Sequence, residues 1–359
     1  MANKSYHDQV KIDTDLKIRN LLKELPPFCS LYFRGMEPTT QARTRMAYAY
    51  DLKVFFNFLK DETSLCGKTP VNELKITILD KVTPGIIQDY LEYLKVYNNK
   101  NETLRSNSER GLNRKLASIR SFYKYYYQME MISTNPASIV KMPKIHDKDI
   151  IRLDSDEVKT LLDEIESGKN LTAKQKTFHE KTKVRDLAIV TLLLGTGIRV
   201  SECVGLDIND VDFKNHGIRI TRKGGNQVVV YFGDEVETAL KNYIHERSDV
   251  VPEPGFEDAL FLSLQSKRIT VHSVENLVKK YAGLVTQLKK ITPHKLRSTY
   301  GTQLYRNTGD IYLVADVLGH SDVNTTKKHY AAIEDERRRR ARNMVTLRET
   351  SDENDAPSR

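Results

Sequence analysis

Almost nothing in this chain alternates. Outside one stretch, apolar residues recur at three- and four-residue spacing, which places them on one face of a helix. The exception is Ile218-Arg219-Ile220-Thr221, a break at Gly224-Gly225, and a resumed run Val228-Val229-Val230-Tyr231-Phe232. Two such runs around a glycine pair predict an antiparallel hairpin. The expected fold is therefore mainly α with a small antiparallel β-hairpin or sheet.

The helical segments fall into two groups. In the first, Leu16, Ile18, Leu21, Leu22 and Leu25 mark a helix over about 15–25, stopped by Pro26-Pro27. Leu52, Phe55, Phe56 and Leu59 mark a second over 40–60, and Ile87, Tyr90, Leu91 and Leu94 a third opened by Thr83-Pro84. A fourth, over 108–131, buries Leu112, Leu116, Ile119, Phe122 and Tyr126 and carries Arg110, Arg114, Lys115, Arg120 and Lys124 on its other side. The aromatic run Phe122-Tyr123-Tyr125-Tyr126-Tyr127 reads as core packing on one edge. This gives an all-helical domain over 1–143.

Residues 144–153 are charged and aperiodic at their start and read as a linker. A fresh helix signal at Asp154-Ser155-Asp156-Glu157 opens a second domain over 154–350. It contains a strongly apolar helix from Asp186 to Leu194, ended by Gly195-Thr196-Gly197, then the hairpin, then helices to about Met344. Residues 351–359 are polar and read as a disordered tail.

Composition narrows the class of partner. The chain has 359 residues, and 57 Lys and Arg against 48 Asp and Glu leave a net charge of +9. Such a surplus favours a polyanion. Cys29, Cys66 and Cys203 are odd in number and unpaired in spacing, which argues against a disulfide framework and a cysteine zinc site. No apolar run approaches the roughly 18–20 residues that span a bilayer, and Met1–His7 lacks a signal peptide's apolar core. The expectation is a cytoplasmic protein with no membrane association and no metal.

Four short pieces of the second half carry chemistry. Gly197-Ile198-Arg199-Val200-Ser201-Glu202 places an arginine directly after a helix-ending glycine. Thr221-Arg222-Lys223-Gly224-Gly225 places Lys223 at the hairpin turn, where in isolation it reads as a solvated lysine. Thr292-Pro293 opens a helix with His294 and Arg297 on one face, at an N-terminus that favours anions. Leu318-Gly319-His320 is followed by Lys327-Lys328-His329-Tyr330.

Taken together and in this order, these pieces resemble the tyrosine recombinase (phage integrase) family. Its signature is an Arg in a TG-x-R-x-SE-x-x-x-L context, a Lys on a hairpin, H-x-x-R, LGH and a Tyr. Here these match Arg199 with Ser201, Glu202 and Leu206, then Lys223, His294 with Arg297, Gly319-His320, and Tyr330. The interval from His320 to Tyr330 is one residue longer than in many members, and Ser298 stands where many carry a second His. Tyr312 is the competing phenol nearby.

The resemblance implies a two-domain, C-shaped DNA clamp and a site-specific recombinase that works through a 3′-phosphotyrosine intermediate. Tyr330 is the implied nucleophile. Arg199 and Arg297 clamp the phosphate oxygens, His294 takes the phenol proton, His320 donates to the phosphate, and Lys223 protonates the leaving 5′ oxygen. No cofactor, metal or ATP is implied, because the phosphoester energy is retained. Glu202 reads as a support for Arg199. The double-stranded DNA recombination site would be gripped by the first domain through Arg43, Arg45, Arg110, Arg114, Lys115, Arg120 and Lys124. A homo-tetramer on two DNA sites is implied, with a DNA translocase as activating partner; the arginine-rich run Glu336–Met344 reads by itself as solvated, while the resemblance implies that it docks on a neighbour.

Within the family, the Lys223 and His294 motifs look most like the single-recombinase Xer proteins of Gram-positive bacteria, which resolve chromosome dimers. An integrase or excisionase of a phage or conjugative transposon is the alternative. Two rivals come from other classes. A type IB topoisomerase would relax any plasmid without a site, and a non-catalytic DNA-binding protein would form no covalent complex.

Overall fold

The computed structural model describes residues 5–98, 104–146, 151–222 and 224–319. The chain divides into two compact units, 1–148 and 149–359.

The first unit contains helices α1 (Tyr6–Leu22), α2 (Cys29–Met36), α3 (Ala42–Asp61), α4 (Ile78–Lys81), α5 (Pro84–Tyr93) and α6 (Glu109–Gln128). Between α5 and α6 lie two short antiparallel strands, β1 (Val96–Asn98) and β2 (Leu104–Ser106). α5 starts as its sequence dictates: Thr83 Oγ1 accepts from the Ile86 N–H and Pro84 fills the first turn. α6 is opened by Ser108, whose hydroxyl accepts from the Gly111 N–H. The core is aromatic. Phe55, Phe56, Phe122, Tyr123 and Tyr126 are all fully buried. Phe122 meets Tyr126 edge-on, with ring centroids 5.0 Å apart. Two buried phenols tie α2 and its approach to α6, Tyr32 donating to Ser121 Oγ at 2.9 Å and Tyr126 to the Phe28 carbonyl.

Two expectations need correcting in this unit, and one helix carries no sequence signal. α1 begins at Tyr6 rather than near Asp15, because Ser5 caps it through the Asp8 N–H. α2 follows Pro26-Pro27 at once, the Cys29 N–H donating to the Pro26 carbonyl at 2.9 Å. At eight residues it is too short to show a helical period. The unit is also not all-helical. β1 and β2 pair over Val96↔Ser106 to Asn98↔Leu104, and β2 is exposed throughout, so no buried alternation marks it.

The second unit contains α7 (Ser155–Ser167), α8 (Ala173–His179), α9 (Lys183–Thr196), α10 (Val200–Val204), α11 (Asp234–Arg247), α12 (Val271–Val285), α13 (Pro293–Thr308) and α14 (Ile311–Leu318). Asp154 opens α7 with the expected capping box, its own N–H donating to Glu157 Oε2 at 2.8 Å. α9 is the central rod. Ala188, Ile189, Val190, Leu192 and Leu193 are buried, and α7, α11 and α13 pack around it. The hairpin forms as β4 (Gly217–Thr221) and β5 (Gln227–Tyr231), with Ile218 opposite Val230 and Ile220 opposite Val228. A further short strand, β3 (Val211–Asp212), extends it to the sheet order β3-β4-β5. Among the described residues, no helix is long and apolar enough to cross a membrane.

A buried polar cluster joins α8, α9 and α12. His179 Nδ1 lies 3.0 Å from the Tyr281 hydroxyl, which donates to Asp186 Oδ2 at 3.3 Å. Thr182 also donates to that carboxylate, and Arg185 and Lys280 neutralise it. Burial pushes the His179 pKa down, and Lys280 and Lys183 add to that against Glu180 and Asp186. The unfolded chain takes a proton at this imidazole near pH ~6.5, whereas the folded chain keeps it neutral. The contribution is therefore complete above that pH and is lost as pH falls towards the folded-state value. The thermal midpoint is expected to drop as pH falls below about 6.5. His179→Gln should flatten that slope in a melting series across the same range.

Candidate active site

The site is built at the C-terminal end of α14. A helix leaves its last four carbonyls without intrahelical partners, and its dipole makes that end negative. Gly319 closes α14 in the left-handed conformation, with φ 61°, and its N–H returns to the Ala315 and Asp316 carbonyls. Three arginines bind the carbonyls from Asp316 to Gly319. Arg222 Nη1 donates to Asp316 O at 3.2 Å and its Nη2 to Val317 O at 2.9 Å. Arg297 Nη2 donates to Leu318 O. Arg199 Nη2 donates to Gly319 O at 3.2 Å.

Arg199 and Arg297 thus come from different helices and end on consecutive peptide groups. Arg199 stands at the N-cap of α10, directly after the turn that ends α9. That turn needs Gly197, whose φ is 63° and whose missing Cβ would lie 2.3 Å from Tyr300 Cδ1. Glu202 is buried and binds Arg199 twice, accepting from its backbone N–H at 2.7 Å and from Nη1 at 2.8 Å. This is the support expected of it. Arg297, only 4% exposed, also donates from Nη1 to Gly197 O at 2.6 Å. Arg297 is therefore bonded to the turn that sets Arg199, 100 residues earlier at Gly197.

His294 lies one turn before Arg297 on α13 and is exposed. Its helix opens with Pro293 as expected, but Thr292 makes no side-chain cap bond. Ser298 Oγ donates to the His294 carbonyl at 3.1 Å. Of the other candidates, Lys223, His320 and Tyr330 lie outside the described residues, as do the Glu336–Met344 run and the 351–359 tail. Their chain neighbours Arg222 and Gly319 meet at the site, since a Cβ on Gly319 would lie 2.2 Å from Arg222 Nη1.

Two other phenols lie on these elements, one far from the arginine pair and one packed against its turn. Tyr312 is exposed in the first turn of α14, about 9 Å along the axis from Leu318 at ~1.5 Å per residue. Tyr300 lies against Gly197, and burial pushes its pKa up, which keeps it neutral.

The expected basic face of the first unit divides in two. Arg43, Arg110, Arg114 and Lys124 are exposed. Arg45 is buried, donating to Asp15 Oδ1 at 2.7 Å and to the Glu37 and Thr40 carbonyls at 3.2 Å. Lys115 is buried on Asp51 at 3.0 Å, and Arg120 donates to the Ala137 and Val140 carbonyls. Arg45 and Lys115 are thus structural cations and not part of a solvent-facing strip. Each meets a carboxylate or carbonyl from a distant segment, which helical spacing alone does not show. The residue that the sequence reading passed over is Arg222. Its only signal was its place beside Lys223, because its partners lie 94 and 95 residues away.

Two guanidinium groups, one of them supported by a buried carboxylate, meet at the end of a helix on a mainly helical domain with a small antiparallel sheet. Such an arrangement suits charge on a phosphoryl group in transfer, because planar forks match its oxygens. The Phage integrase family model matches residues 151–337. Tyrosine recombinase XerC of Caldanaerobacter subterraneus subsp. tengcongensis is 36% identical over 320 residues, covering 86% of this chain and 84% of that protein. Tyrosine recombinase XerS of Lactococcus lactis subsp. cremoris is 28% identical over 344 residues, covering 89% and 96%. In fold, the chain is similar to the Tn1549 transposon integrase in complex with transposon right-end DNA, with a TM-score of 0.61 and 21% identity over 88% of this chain and 99% of that one. It is also similar to the XerH recombinase bound to its difH substrate, with a TM-score of 0.58 and 19% identity over 85% and 79%. The chain belongs to the phage integrase family, the tyrosine recombinases. It is a site-specific DNA recombinase, an enzyme that cleaves and rejoins DNA strands.

Proposed function

We propose that this recombinase is an Xer-type enzyme that resolves chromosome dimers, with Arg199, Lys223, His294, Arg297, His320 and Tyr330 as its catalytic set. The observation that carries the site assignment is the meeting of Arg199 and Arg297 on the Leu318 and Gly319 peptide groups. A phenol with a pKa of about 10 is scarcely ionised at neutral pH, so it needs a base and a positive field to attack phosphorus. The Tyr330 oxygen attacks the scissile phosphorus while His294 takes its proton. The guanidinium pair holds the charge that builds on the non-bridging oxygens, and His320 donates to one of them. The bond from phosphorus to the 5′ oxygen breaks, and Lys223 supplies that oxygen's proton. A 3′-phosphotyrosine bond and a free 5′-hydroxyl result, and the reverse attack by another 5′-hydroxyl rejoins the strand without ATP.

The first unit would grip the recombination site through its exposed Arg43, Arg110 and Lys124, with Arg114, which also pairs with Asp51, beside them. The working assembly is a homo-tetramer on two sites in the cytoplasm, with a DNA translocase as licensing partner. The similarity to Xer proteins over nearly the whole chain supports dimer resolution ahead of element integration.

The test is a suicide duplex nicked beside the scissile bond, carrying the sequence that the full-length protein selects from randomised duplexes. A covalent protein–DNA complex should form and be absent with Tyr330→Phe. No complex with the unaltered protein would sink the assignment. Relaxation of plasmids that lack the site would indicate a topoisomerase instead.

A further inference from the structure

None of these roles uses Arg222, yet its side chain crosses between the hairpin and α14. Its backbone closes the hairpin loop: the N–H donates to Asn226 O at 2.8 Å, and the carbonyl accepts from the Gly225 N–H at 3.0 Å. Its guanidinium leaves the sheet and binds two successive carbonyls of α14, Asp316 O at 3.2 Å and Val317 O at 2.9 Å. It lies where a Cβ of residue 319 would be, a space that only glycine leaves open. The next two carbonyls along the chain belong to Arg297 and Arg199. Three guanidinium groups therefore form one continuous row along four peptide groups.

Both ends of the Arg222 contact adjoin candidates for catalysis. Lys223 is its chain neighbour on the hairpin, and His320 follows Gly319. At the turn, Gly224 and Gly225 are exposed with φ of 105° and 91°, and among the described residues nothing lies within 4 Å of where a Cβ would stand on either. A planar fork fixes distance and direction together, which a lysine ammonium on a flexible stem does not. General acid catalysis depends on such placement, since a displacement of about 1 Å can cost on the order of 10²-fold.

We infer that Arg222 is a positioning residue: it locks the hairpin carrying Lys223 onto the end of α14, and so sets the leaving-group acid against the Arg199–Arg297 pair. The inference rests on the assignment of Lys223 as general acid.

The test compares two leaving groups on the suicide duplex described above. One substrate has the natural 5′ oxygen at the scissile bond and the other has sulfur. An alkoxide departs only if protonated, whereas a thiol of pKa about 8.5 departs as thiolate without an acid. With oxygen, Arg222→Ala should slow single-turnover cleavage by about 10- to 100-fold, a part of the 10²–10⁴ that a general acid supplies. With sulfur the loss should stay under about threefold, because no acid is then needed. Arg222→Lys, which keeps the charge without the fork, should show the same selective loss, and it carries the comparison if the alanine variant does not fold. Equal losses on both substrates, or none on the oxygen substrate, would overturn the inference. The unaltered protein tests the underlying assignment separately: if it forms no Tyr330-dependent complex, the recombinase site is wrong, whatever Arg222 does.

Discussion

Arg199→Ala is expected to slow strand cleavage by on the order of 10²–10³ while leaving most of the protein folded. The rate loss follows from removing a charged donor that stabilises the transition state more than the ground state. The modest stability loss follows from the site's geometry. Arg199 keeps part of its side chain in solvent, so water can enter beside the Glu202 carboxylate that loses its partner, and Glu202 would still accept the residue 199 backbone N–H. Arg297→Ala should give a rate loss of similar order with a clear drop in thermal midpoint. Its buried guanidinium serves both Gly197 O and Leu318 O, and each carbonyl left unsatisfied costs about 1–3 kcal/mol. Single-turnover cleavage of the suicide duplex, paired with thermal melts, separates the two. A near-native rate for Arg199→Ala would remove that residue from the site.

The largest stability effect is expected far from the chemistry, at Asp51. This carboxylate on α3 is 1% exposed and accepts from Arg114 and from Lys115 Nζ at 3.0 Å, both on α6. Asp51→Ala strands the Lys115 ammonium in the interior, and breaking one side of a buried pair costs about 3–5 kcal/mol. Replacing both members at once removes the stranded charge. Asp51→Asn with Lys115→Met should therefore recover much of the loss, and denaturation of the full chain with each single and the double variant measures the coupling. Additive effects would mean that the pair contributes nothing beyond its separate members.

Lys115 also shows where reading the chain alone misleads. On a helical wheel it shares the polar side of α6 with Arg110, Arg114 and Lys124, which are exposed. Nothing within α6 distinguishes it from them, because its partner lies 64 residues earlier. Arg45 is the same case, buried by Asp15, which is 30 residues away on α1. The β1–β2 ladder was illegible for another reason: an exposed strand held by backbone pairing leaves no alternation in its side chains.

Local chemistry sufficed wherever a structural feature depends on neighbours in the chain. Pro84 and Pro293 open helices, Gly197 and Gly319 end them, and the glycine pair turns the hairpin, because backbone dihedral limits act within a few residues. The ordered motifs around Arg199 and Arg297 were legible for the same reason. Which charges face solvent, and which guanidinium binds which carbonyl, was decided only by tertiary packing. Those outcomes rest on desolvation and on partners brought together from distant segments, and the Arg222 contacts across 94 and 95 residues are their clearest product.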